Sequence, residues 1–80
     1  MVLREYSFTA FFDPNEKGGY TVTVPALPGL VTEGDTLEEA RAMAEDAIKC
    51  YIEGLVKDGE PIPDEGKMIQ EKIKVSMEVS

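Results

Sequence analysis

Side chains able to do covalent or metal chemistry are few in kind here: one cysteine, Cys50, no histidine, and sixteen carboxylates. Without histidine the commonest general base and zinc ligand are both missing, and a Ser-His-Asp hydrolase is excluded. A thiolate nucleophile needs an electropositive setting and a base beside it. Cys50 sits in a segment of helical apolar periodicity, where a buried structural thiol is expected. Gly18-Gly19 precede no helix and fit no phosphate-loop spacing, so they mark a turn. Metal-assisted hydrolysis needs several carboxylates converging from strand centres and facing helices. These instead fall in the turn at 13–16, at a helix start, along a helix's polar side and in the loop at 58–65. Glu5, Glu33 and Glu78 are the strand acids, and each fits a solvated face. No catalytic residue, metal ligand or cofactor is expected, and the chain does not read as an enzyme.

The elements that would position any binding surface come next. Residues alternate from Leu3 to Phe12, with Tyr6, Phe8, Ala10 and Phe12 on one side, which is the period of a half-buried strand. Asp13-Pro14-Asn15-Glu16-Lys17-Gly18-Gly19 collects turn formers, and Tyr20-Thr21-Val22-Thr23-Val24 alternates again, predicting an antiparallel hairpin with Tyr20, Val22 and Val24 inward. Pro25, Pro28 and Gly29 shape a connection that no ladder can cross. A short third strand over about Leu30 to Glu33 ends at Gly34, read as a sharp change of direction. Asp35 precedes Thr36-Leu37-Glu38-Glu39, a capping box in which Thr36 caps the helix and Glu39 reaches back. Leu37, Ala40, Ala44, Ala47, Ile48, Tyr51 and Leu55 then form the apolar stripe of one helix of about twenty residues. Asp58-Gly59 stops it, 60–66 is a loop, and Ile73, Val75, Met77 and Val79 alternate as a last strand. The fold class is α+β with the order β-β-β-α-β, in a single domain spanning 1–80.

Eight Lys and Arg against sixteen Asp and Glu leave 8 − 16 = −8, the wrong sign for phosphate-driven nucleic-acid binding; such acidity either attracts a basic partner or simply keeps the chain soluble and its copies apart. One cysteine cannot form an internal disulfide, which fits a reducing cytoplasm. The opening Met1-Val2-Leu3-Arg4-Glu5-Tyr6 resembles no secretory leader, and no apolar run is long enough to span a membrane. One helix covers one sheet face; Glu5, Ser7, Thr9, Thr21, Thr23, Lys74, Ser76 and Glu78 would share the other, with Phe11 as an apolar exception. Burial is scarce in so small a chain, and edge strands invite pairing, so a homodimer or higher homo-oligomer is expected.

From Gly19-Tyr20-Thr21-Val22-Thr23-Val24-Pro25-Ala26-Leu27-Pro28-Gly29 through Gly34-Asp35-Thr36-Leu37-Glu38-Glu39-Ala40, the sequence resembles the HicB family of antitoxin N-terminal domains and their stand-alone relatives. Ala44, Ala47, Ile48 and the tail Glu60-Pro61-Ile62-Pro63 also fit, so the likeness spans most of the chain. The resemblance implies a partial RNase H-like fold, a mixed four-stranded sheet of order 3-2-1-4 with the fourth strand parallel to the first. It also implies an antitoxin that covers the catalytic surface of a HicA toxin, a small basic mRNA-cleaving protein. Contact with that toxin is expected at the exposed connection, Ala26 and Leu27, and on the acidic helix face, Glu38 and Glu45. Pro25, Pro28, Gly29, Gly34, Asp35, Thr36 and Glu39 are assigned structural roles. Self-regulating members carry a DNA-binding segment after the last strand; none stands before Ser80, so direct DNA binding is not expected. The acidic catalytic residue that a relation to RNase H would place in the middle of the first strand has no counterpart around Ser7, Phe8 and Thr9. The position after Pro-Gly that often holds cysteine is Leu30, for which apolar packing is expected. The competing reading is an orphan structural or regulatory homo-oligomer without a toxin.

Overall fold

The computed structural model describes residues 3–67 and 69–79; Met1, Val2, Met68 and Ser80 lie outside the described residues, so the reading that began at Met1 is followed from Leu3. Strands β1 (Phe11–Pro14), β2 (Tyr20–Thr23) and β3 (Val31–Gly34) form an antiparallel sheet of order β1-β2-β3. Helix α1 (Leu37–Lys57) covers one face, and a short 3-10 turn follows at Glu65–Lys67. Among the described residues the protein is thus α+β, with three antiparallel strands and one α-helix.

β1 begins later than the alternation from Leu3 predicts, and the register explains why. Phe11 lies opposite Thr23, so two positions towards the N-terminus Thr9 would face Pro25, which has no amide to donate. β2 turns away there, and residues 3–10 run on without a ladder. At the other end the ladder reaches Pro14, which is tolerated because β1 is an edge strand. The hairpin turn therefore shrinks to 15–19. Asn15 closes it: its Oδ1 accepts from the amides of Lys17 at 3.1 Å and Gly19 at 3.0 Å, while Gly18 takes φ +89°.

The proline segment is two β-turns in series. Leu27 N–H donates to Val24 C=O at 2.9 Å, and Leu30 N–H donates to Leu27 C=O at 3.1 Å. Each turn has proline at its second position, Pro25 and then Pro28, and Gly29 supplies the positive φ of +85° that a type II turn requires at its third. Steps of three residues bring Val24, Leu27 and Leu30 together as one buried cluster, against which Phe8, Ala47, Ile48 and Tyr51 pack. The packing role expected of Leu30 is what the structure shows. The Tyr51 hydroxyl donates to Pro28 C=O at 3.0 Å and ties helix to connection.

The helix start follows the sequence closely. Thr36 is extended, and its Oγ1 accepts from the Glu39 amide at 3.0 Å. The return bond from the Glu39 side chain is not formed among the described residues. At the other end, Glu60 N–H donates to Leu55 C=O at 2.8 Å and Gly59 N–H to Val56 C=O at 3.1 Å. With Gly59 at φ +72°, this is a Schellman stop. Gly34 differs from expectation in its reason for being glycine. Its φ is not positive; instead a Cβ there would overlap the Ala40 amide and sit 2.6 Å from the Ala40 Cα. The residue is small so that β3 and the first turn of α1 can touch. Ala40 and Ala44 are buried against Val22, with Ala10, Phe12 and Tyr20 around them.

The expected last strand departs most. Residues 71–79 form no ladder, and Ile73, Val75, Met77 and Val79 are all more than 70% exposed. The alternation is present; a partner edge beside it is not.

Candidate protein-interaction surface

Among the described residues no group of three His, Cys, Asp or Glu side chains is arranged to hold a metal ion. No helix of the described residues is long and apolar enough to cross a membrane. Among the described residues the surface carries a groove on each side of the sheet and a row of exposed side chains across its strands.

Leu27 is fully buried, which corrects the expectation that it faces a partner. The two-turn geometry is the cause, because its side chain lies between Val24 and Leu30 in the core. Cys50 is corrected in the opposite direction. It is exposed, because the buried stripe of α1 runs through Ala40, Ala44, Ala47 and Ile48 and leaves position 50 on the solvent side. Leu37, also placed on the stripe, is 42% exposed at the first turn, beyond the sheet's reach.

Ala26 is half-buried and lines a groove of about 410 Å³ with Thr9, Phe11, Pro25, Glu65 and Ile69. A Glu65 Oε2 accepts from the Thr9 amide at 2.6 Å and holds the 3-10 turn against this corner. The bond answers the gap left by Pro25, since an edge amide without a ladder partner takes a carboxylate instead. Glu38 and Glu45 lie elsewhere, exposed on α1 and seven residues apart, hence on one helix face about 10 Å from each other along the axis. Glu45 pairs with Lys49 at 3.5 Å in a solvent-exposed i,i+4 bridge, a weak interaction. The four expected contact residues are therefore not one site: Ala26 belongs to the sheet side, Glu38 and Glu45 to the helix side, and Leu27 to neither.

Register supplies what side-chain chemistry alone missed. On the face away from α1, Phe11, Thr23 and Val31 stand side by side in one row, and Asp13, Thr21 and Glu33 in the next. Phe11 and Val31 are exposed, at 42% and 65%. An apolar row bordered by two carboxylates, with the Ala26 groove at its end, suits a protein partner that presents apolar and basic groups together. The signal in the sequence was Phe11, the apolar exception on an otherwise polar face; Val31 joins it only once β3 is in register.

Residues 8–78 match the family described as HicB_like antitoxin of bacterial toxin-antitoxin system. The chain belongs to the HicB-like antitoxin family. It is similar to Antitoxin HicB 1 of Photorhabdus laumondii, 35% identical over 79 residues, covering 99% of this chain and 51% of that protein. The chain thus spans about half the length of that relative. It is also similar to a UPF0150 protein of Thermoplasma acidophilum, 46% identical over 56 residues, covering 70% of this chain and 81% of that one. A UPF0150 protein of Synechocystis is 35% identical over 65 residues, with 81% and 82% covered.

Proposed function

We propose that this protein is the antitoxin module of a toxin-antitoxin system and neutralises a small basic HicA-type, mRNA-cleaving toxin by binding and covering it. Membership of the HicB-like antitoxin family carries the reading. The net charge of −8 and the apolar row of Phe11 and Val31 edged by Asp13 and Glu33 support it, because a basic, nucleic-acid-cleaving surface is complementary to both. The work is steric and electrostatic occlusion, without catalysis by this chain, in the cytoplasm where messenger RNA is cleaved. The same reading takes the sheet as a partial RNase H-like one of order 3-2-1-4, with residues 73–79 as its fourth strand.

Contact runs over the open sheet face and the Ala26 groove, with Glu38 and Glu45 adding long-range attraction from the helix side. Co-expression with a small basic HicA-type toxin tests this. Growth arrested by that protein is expected to resume, and the pair to co-purify; continued arrest with no complex recovered would overturn it. A second reading, an orphan homo-oligomeric module, is favoured by one observation: the Thermoplasma and Synechocystis relatives, each covered over four fifths of its length, carry the UPF0150 name, which states no function.

A further inference from the structure

We infer that the groove beside Ala26 receives an arginine side chain of the basic partner, with its stem on Phe11 and Pro25 and its guanidinium between the carboxylates of Glu65 and Glu71. The protein that carries the arginine rests on the antitoxin reading; the site itself rests on this chain alone. At about 410 Å³ the groove is at the small end of the ~300–1,000 Å³ of ligand pockets, which suits a side chain better than a helix. Phe11, Pro25, Ala26 and Ile69 make its lining apolar, and its ionisable members are Glu65 and Glu71.

Apolar walls beside two carboxylates match a ligand that is apolar along its length and cationic at its tip. Lysine and arginine both bury a hydrocarbon stem and keep the charge outside. Arginine fits this groove better, because a flat guanidinium stacks on an aromatic ring such as the exposed Phe11, and its fork of donors serves two carboxylates at once. Glu65 is already set for the task. Its Oε2 accepts from the Thr9 amide at 2.6 Å, which fixes the half-buried side chain at the groove, while Oε1 has no hydrogen bond among the described residues. Asp64 Oδ1 accepts from the Gly66 amide at 2.8 Å and stiffens the turn that presents Glu65. Among the described residues the ion pair is Glu45 with Lys49 on α1, so neither groove carboxylate is neutralised there.

A protein is the source of the arginine, and the free amino acid is not. Free arginine brings its own carboxylate, which two glutamates in a chain of net −8 repel; inside a peptide that charge is gone and the guanidinium remains. Position points the same way. Phe11 belongs both to the groove and to the apolar row with Thr23 and Val31, so a protein lying across the open sheet face presents a side chain directly to the groove. Asp13 and Glu33 in the neighbouring row favour a basic surface around that side chain.

Titrating the isotope-labelled full chain with end-blocked tripeptides that carry arginine, lysine or citrulline between two glycines, followed by amide NMR shifts, tests the site without a toxin. Arginine is expected to move the amides of Thr9, Phe11, Ala26 and Glu71 together and to saturate. Lysine is expected to bind several-fold more weakly, and citrulline, which has the same shape without the charge, to leave those amides in place. Glu71→Gln should lower the arginine affinity about tenfold, while the Thr9 amide of the free variant keeps its shift because the Glu65 bond is untouched. Equal shifts with citrulline, shifts spread evenly over Glu38, Glu45 and the other surface acids, or an affinity indifferent to Glu71→Gln would each overturn the arginine site. Capture of a HicA-type toxin without any arginine response would overturn it too and leave the antitoxin reading standing; an arginine response in a chain that neutralises no such toxin would uphold the site and remove that reading.

Discussion

Replacing Leu27 by alanine separates a core residue from a contact residue. The side chain is fully buried in the cluster with Val24 and Leu30, so the three carbons lost remove about 2.4 kcal/mol of transfer free energy at ~0.8 kcal/mol per methylene. The two hydrogen-bonded turns hold the backbone on either side and limit collapse into the space, so the cavity left behind raises the loss to about 3–4 kcal/mol. For a chain of this size each kcal/mol moves the melting midpoint by about 4–8 °C, giving a fall of at least ~12 °C. Urea unfolding followed by circular dichroism should show a lower midpoint at unchanged slope, whereas Leu27→Met should lose less than ~1.5 kcal/mol. A loss below about 1 kcal/mol for Leu27→Ala would refute the two-turn packing and return Leu27 to the surface.

Other substitutions probe the remaining joints. Thr36→Ala should lower stability by about 1 kcal/mol, read from the same urea curves, since it orphans the Glu39 amide. Tyr51→Phe removes the bond to Pro28 C=O and should lower it by about 1 kcal/mol, with the helix content intact by circular dichroism. Gly34→Ala forces a methyl group into the Ala40 backbone and should destabilise by about 1–3 kcal/mol, measured by thermal melting. Phe11→Ser with Val31→Ser should leave the melting midpoint within a few degrees but weaken toxin capture in a pull-down.

Local signals were legible wherever one residue type had one physical use. Thr36 as cap, Gly59 past the helix end and the prolines of 25–28 sit where the sequence places them, because a cap, a positive φ and a missing amide are decided within a few residues. Longer-range matters were not. Alternation from Leu3 to Phe12 predicts a strand, yet the ladder begins at Phe11, two residues after Thr9, the position that Pro25 would oppose. Leu27 reads as an exposed loop residue until two successive turns carry it inward, and Cys50 reads as buried until the stripe's angular width is known. The contact surface was half visible: acidity and Phe11 are in the sequence, but the row joining Phe11 to Val31 exists only through strand register. Residues 73–79 carry a clear strand pattern, and a pattern specifies which side is apolar without specifying whose edge it meets.

Stepwise addition of the protein to a purified small basic HicA-type ribonuclease, with RNA cleavage as readout, measures the antitoxin reading most directly. Cleavage should fall in proportion to the protein added and stop once each toxin is occupied, with binding that weakens as salt rises. Undiminished cleavage at a several-fold excess of folded protein would contradict it.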